Sequence, residues 1–214
     1  GGTTGFVVAD AAKGAILDAV NPDTLLPPAS VAKTITALYA LEKLGADRRL
    51  VTRVLATGPQ VGDRIEGDLI LSGGGDPTLD TDDLGDLAAM LRKAGIRGVT
   101  GRFLAHAGAL PALERIAADQ PDQVGYNPGL SGLILNFGRV YFEWKRAGDG
   151  YAVSMDARGE RFAPKIALTR MDLADRESPL FTYRLRETTE DWTVARPALG
   201  KDGSRWLPVR RAAP

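Results

Sequence analysis

The 214-residue sequence contains no cysteine, which excludes disulfide staples, thiolate metal sites and a cysteine nucleophile together, and leaves the redox compartment open. Histidine is nearly as scarce. His106 is the only one, so a Ser-His-Asp triad would have to recruit it, and a histidine zinc site cannot be assembled from it alone. Charge of one sign is missing as well: 27 Lys and Arg balance 27 Asp and Glu, which removes the electrostatic case for nucleic acid or an anionic membrane surface. No hydrophobic run approaches the length of a membrane span. The chain opens on Gly1-Gly2 rather than on methionine and a signal sequence, and this reads as a processed or trimmed terminus.

What remains, 44% hydrophobic and 25% charged, is the composition of a globular protein able to bury a sizeable core in one or two domains. The most informative stretch runs from Leu26 to Leu41 and carries a single charge, Lys33. After Pro27-Pro28 its composition turns helical, with Ser30 at the N-cap or in the first turn. Val31, Ile35, Leu38, Tyr39, Leu41 and several alanines cover nearly the whole circumference, the pattern of a buried helix. A lysine on such a helix is expected to lose its water, which favours the neutral form. Ser30 and Lys33 stand one turn apart, and a serine with a lysine base in reach is one way to make an oxygen nucleophile. Ser30 as nucleophile and Lys33 as general base are therefore the candidate catalytic residues. The alternative is an ordinary N-cap serine beside a solvated lysine, since Ser-x-x-Lys alone is a loose pattern. Two features favour catalysis: no charge follows Lys33 before Glu42, and a helix N-terminus supports a developing oxyanion.

Taken in order, residues 6–10 and 15–20 predict a hairpin around Lys13-Gly14. The helix after Ser30 is expected to end at Gly45, and a strand follows over 50–57. A strand at Ile70-Leu71 meets a tight bend in Ser72-Gly73-Gly74-Gly75-Asp76-Pro77. That run is not a phosphate loop, because no Gly-Lys-Ser/Thr follows it and Gly-x-Gly-x-x-Gly is absent. Residues 82–93 predict an amphipathic helix with Leu84, Leu87, Ala88 and Leu91 inward, aspartates early and Arg92 and Lys93 late. Residues 63–105 thus read as strand–helix–strand. A connector with one short helix at 112–118 comes next. From Leu133 alternation predicts strands at 133–144, 151–156, 165–169, 181–187, 192–195 and 205–209, with Phe142, Trp144, Tyr151 and Trp192 as sheet packing. His106 reads as structural or solvated, and Arg205, Arg210 and Arg211 are too few to suggest a polyanion partner.

The initial hairpin, then Pro28-Ala29-Ser30-Val31-Ala32-Lys33-Thr34, then Gly67-Asp68-Leu69-Ile70-Leu71-Ser72-Gly73-Gly74-Gly75-Asp76-Pro77-Thr78-Leu79, then Lys93-Ala94-Gly95-Ile96-Arg97-Gly98-Val99-Thr100-Gly101 occur in a telling order. With the stretch from Tyr126-Asn127-Pro128 to Asn136, this order resembles the class C penicillin-binding proteins, the D-Ala-D-Ala carboxypeptidase/endopeptidase family of serine peptidases. The resemblance implies a fold of α/β plus β: the N-terminal part of a penicillin-binding (serine β-lactamase-like) catalytic domain with inserted α/β and mostly antiparallel β domains. Residues 1–57 would be the N-terminal part of the catalytic domain, 58–128 an inserted α/β subdomain, 129–211 an inserted β subdomain, and 212–214 the start of the return.

The resemblance also implies that Ser30 forms an acyl-enzyme with the penultimate D-alanine carbonyl of a peptidoglycan stem peptide, Lys33 taking the serine proton. The terminal D-alanine leaves, water hydrolyses the ester, and a β-lactam is trapped at the same step. Implied partners are peptidoglycan peptides and β-lactam inhibitors, with no cofactor and no metal. The implied location is the periplasmic or extracellular cell envelope, reached by a signal peptide since removed. The family's other motifs, Ser-x-Asn and Lys-Thr-Gly, do not occur here. Ser131-Gly132-Leu133 lacks the asparagine, and Lys201-Asp202-Gly203 carries aspartate where threonine or serine belongs. Substrate-binding residues are therefore unassigned, and the rest of the catalytic domain is left to a second chain, to disorder or to deletion. Two other readings stand beside this one: a serine β-lactamase or esterase of the same fold, and a non-catalytic cell-wall-binding scaffold motivated by the two missing motifs.

Overall fold

Gly14, at φ +67°, turns the chain between β1 (Phe6–Ala9) and β2 (Ile16–Val20), which pair antiparallel with Phe6 opposite Val20. The Asp10 carboxylate closes this turn by accepting the backbone N–H groups of Ala12 and Lys13. A 3-10 turn over Ala29–Ala32 then leads into α1 (Lys33–Leu44), which ends at Gly45 with φ +81°. These elements make the first of two compact units, which part between Arg48 and Arg49 in the computed structural model. The structure describes residues 2–211, so the return expected at 212–214 lies outside the described residues. Residues 53–56 belong to the second unit, where they pair with a strand.

The first half of that second unit comprises β3 (Arg53–Ala56), β4 (Gln60–Val61), β5 (Arg64–Ile65), β6 (Leu69–Ser72), α2 (Thr81–Lys93), β7 (Gly98–Val99) and β8 (Phe103–His106). β6 lies between β3, antiparallel, and β8, parallel; β5 likewise lies between β4, antiparallel, and β7, parallel. Both parallel pairs are bridged by α2, as strand–helix–strand requires. Asp80 caps α2 reciprocally with Asp83, each side chain accepting the other's backbone N–H. Of the residues expected inward, Leu84, Leu87 and Leu91 are half-buried while Ala88 is exposed. The glycine bend is structural: a Cβ at Gly73 would collide with the Gly132 carbonyl, and one at Gly74 with that of Val51.

No helix forms at 112–118. The Asn127 amide instead accepts the N–H groups of Ile116 and Ala117 and donates to the Ala117 carbonyl, satisfying the backbone in an irregular path. The strand expected from 133 begins only at Arg139, because Asn136, Phe137 and Gly138 take φ values of 52°, 59° and 66° and break the extended run. The second half comprises β9 (Arg139–Ala147), β10 (Gly150–Asp156), β11 (Thr169–Ala174), β12 (Phe181–Leu185), β13 (Glu190–Ala195) and β14 (Gly203–Pro208). The strand expected at 165–169 is reduced to one bridge, Asp156 to Lys165, and the ladder starts at Thr169. Sheet order is β10-β9-β14 and β11-β13-β12, antiparallel except for the β11–β13 pair. Both sheets contribute to one core of Val140, Phe142, Met155, Met171, Trp192, Val194, Leu199 and Leu207. The sheet-packing role expected of the aromatics is seen most fully at Phe142 and Trp192, which are completely buried. Asp82 ties α2 to this half: its carboxylate accepts the N–H groups of Glu160, Arg161 and Phe162. Among the described residues no helix is long and apolar enough to cross a membrane.

Candidate active site

Pro27-Pro28 hold the chain out of a helix, and Ala29 then turns it with φ +43°, a left-handed conformation that costs an alanine about 1 kcal/mol or more. Ser30 follows in the 3-10 turn, where the Val31 N–H donates to the Pro28 carbonyl at 3.0 Å. The tight winding decides the geometry. Residues i and i+3 of a 3-10 turn eclipse one another, which brings the side chains of Ser30 and Lys33 together. Lys33 Nζ donates to Ser30 Oγ at 2.9 Å, a separation within reach of general-base chemistry. The serine is not an N-cap. That position of α1 belongs to Ala32, and no side-chain bond is made there.

The burial expected of this helix is not found. Ser30 and Lys33 are exposed, and α1 has no buried residue, with Ile35 at 69% and Leu38 at 62% exposure. A helix apolar on all sides is buried only where other elements lie against it, and the described residues of the first unit supply one hairpin and one helix. This stretch alone therefore brings the pair together but does not dry it.

His106 is exposed at the end of β8, with Nδ1 3.4 Å from Ser72 Oγ. No cluster of three metal-ligating side chains occurs among the described residues. Ser131 is buried and its hydroxyl donates to the Leu133 carbonyl at 2.9 Å. Asp202 accepts the Arg146 N–H at 2.7 Å. Both serve the fold.

Sequence reasoning missed a buried polar cluster in the second unit. Glu190 is fully buried, and its carboxylate accepts the backbone N–H groups of Arg210 at 3.0 Å and Arg211 at 2.6 Å. Burial pushes its carboxyl above the usual range, and those two N–H groups pull it back in part. The neighbouring Tyr183 phenol is pushed up by burial and then by the Glu190 charge. The Arg210 guanidinium, which burial pushes down, donates to the carbonyls of Asn127 and Asp122. No local pattern connects residues 122, 127, 190 and 210, so no sequence signal could have found this cluster.

A family model described as D-Ala-D-Ala carboxypeptidase 3 (S13) matches residues 1–178. The chain is 36% identical over 145 residues to a D-alanyl-D-alanine carboxypeptidase of Actinomadura sp. (strain R39), a match covering 66% of this chain and 27% of that relative. In fold it is similar to part of penicillin-binding protein 4 from Haemophilus influenzae, with TM-score 0.66 and 20% identity over 96% of this chain and 47% of that one. The same Haemophilus influenzae protein complexed with a β-lactam gives TM-score 0.57 and 20% identity over 95% and 44%. This chain thus spans about a quarter of the curated relative and under half of the solved chains. Each relative is one longer polypeptide, which lends no support to a second chain completing the domain.

Proposed function

Since the chain belongs to the D-Ala-D-Ala carboxypeptidase 3 (S13) family, we propose that Ser30 is the nucleophile and Lys33 the general base of a serine carboxypeptidase acting on peptidoglycan stem peptides. The observation that carries this reading is the 2.9 Å contact between Lys33 Nζ and Ser30 Oγ. Lys33 Nζ takes the hydroxyl proton as Oγ attacks the penultimate D-alanine carbonyl carbon. Collapse of the tetrahedral adduct breaks the peptide C–N bond, the proton passes to the leaving amine, and free D-alanine departs. Water then adds to the ester carbonyl and Ser30 recovers its proton. The N-terminal end of α1, which Ser30 precedes, favours the negative charge that develops. A β-lactam acylates Ser30 in the same way, but its leaving nitrogen stays tethered.

Excluding water strengthens the electrostatic interactions of such a site, so the reading asks for polypeptide over α1. The exposed Ile35, Leu38 and Leu41 suit such cover, and the relatives are more than twice as long as their matched parts. In this scheme residues 1–57 begin the catalytic domain and 58–128 and 129–211 are inserts, in an enzyme of the periplasmic or extracellular envelope. The test is covalent labelling of the intact protein by a fluorescent penicillin. Stable label that Ser30→Ala abolishes is the expected result. Label that persists in Ser30→Ala overturns the assignment, and rapid release of label marks a β-lactamase instead.

A further inference from the structure

The second unit contains a half-buried guanidinium with no carboxylate partner among the described residues. Arg139, half-buried at the start of β9, lies between two aromatic rings, 5.0 Å from the Phe137 centroid and 5.2 Å from that of Trp206. Its one hydrogen bond among the described residues is a long one, Nε to the Asn136 carbonyl at 3.4 Å, and no carboxylate pairs with it there. Burial alone accounts for the depressed basicity of the group. The nearby Arg158, by contrast, is neutralised by Asp156 at 2.7 Å and Glu143 at 3.6 Å. A partly desolvated cation that keeps free donors is costly unless something binds it.

Two cavities share Phe137 and Arg139 as a common wall. One, of about 400 Å³, also carries Asp80, Glu160 and Arg158; since Arg158 is already paired with Asp156 and Glu143, the two further carboxylates disfavour an anion there. The other, of about 420 Å³, is apolar, walled by Ile116, Pro128, Leu130 and Ile134, and Arg139 is its one charged residue. Left-handed backbone at three successive residues, Asn136 to Gly138, places Phe137 at this wall with its ring half exposed, and such strain persists where the surroundings enforce it. We propose that this is a binding site for a small monoanionic carboxylate with an apolar body, the carboxylate held by the Arg139 fork and the body in the cavity lined by Ile116, Pro128, Leu130 and Ile134. A fork of parallel N–H donors matches a carboxylate, and one charge at the rim of an apolar pocket sets the ligand's orientation.

An acyl chain and the apolar end of a peptide share this chemistry, and the assay separates them. Octanoate and N-acetyl-leucine are titrated into the intact protein by calorimetry beside their uncharged counterparts, octan-1-ol and N-acetyl-leucinamide. The carboxylates bind saturably and the neutral partners about tenfold more weakly or worse, the cost of losing charge-assisted hydrogen bonds. Tighter binding of octanoate marks an acyl ligand, and tighter binding of N-acetyl-leucine a peptide end. Arg139→Gln abolishes the preference for the charged member, and Ile116→Asp, at an exposed position of the wall, weakens both carboxylates without touching Arg139. Equal binding of charged and neutral partners, or an unchanged preference in a folded Arg139→Gln protein, overturns the proposal. Ser30→Ala leaves binding here unchanged, so the outcome is independent of the acylation chemistry.

Discussion

Replacing Lys33 separates its chemistry from its contribution to the fold. Lys33 is the first residue of α1, is exposed, and makes its one side-chain hydrogen bond among the described residues to Ser30 Oγ at 2.9 Å. A cation at a helix N-terminus opposes the helix dipole, and alanine is a better helix former, so Lys33→Ala should leave stability unchanged or raise it by up to about 1 kcal/mol. Loss of a positioned general base costs roughly 10²–10⁴ in rate, or about 2.7–5.4 kcal/mol of barrier. The assay is the second-order rate of labelling of the intact protein by a fluorescent penicillin, alongside a thermal melt. Lys33→Arg is the decisive control. It keeps the charge and reach but cannot give up its proton in a protein, and it should be as slow as Lys33→Ala. An alanine variant that labels within about threefold of the parent rate, or an arginine variant that restores the rate, refutes the base assignment.

Gly73→Ala forces a methyl group into the Gly132 carbonyl and the Leu133 Cα; a loss of about 1–3 kcal/mol by urea denaturation is expected, and an unchanged midpoint would show that the glycine bend is not tightly packed. The Glu190 carboxyl sits above its unfolded-state range because burial outweighs its hydrogen bonds. The folded state therefore binds that proton more tightly, and this contribution to stability is fully present below about pH 4.3 and lost as pH rises through the raised value. Melting temperatures of the parent and Glu190→Gln proteins, compared from acid to neutral pH, should diverge with rising pH in favour of glutamine. A constant difference would mean that its surroundings do not raise the Glu190 carboxyl.

Local pattern alone determined a good part of this protein. The hairpin at 6–20, the helix ending at Gly45, the capped α2 with its charges arranged along the dipole, and the alternation of β9 and β10 all follow from period and turn chemistry acting within a few residues. The pairing of Ser30 with Lys33 was also legible, since three residues of helical winding bring two side chains together in any context. Tertiary structure decided what lies against each element. An apolar circumference records that α1 is made to be covered, but whether it is covered depends on chain that is not local, and in this stretch its faces stand open. The same holds for the helix that does not form at 112–118, where the Asn127 amide captures the backbone from ten residues away. It holds again for Glu190 with Arg210 and for Arg139 between Phe137 and Trp206, because hydrogen bonds and ring stacking select partners by position in space, and periodicity is silent about residues that only the folded sheets bring together.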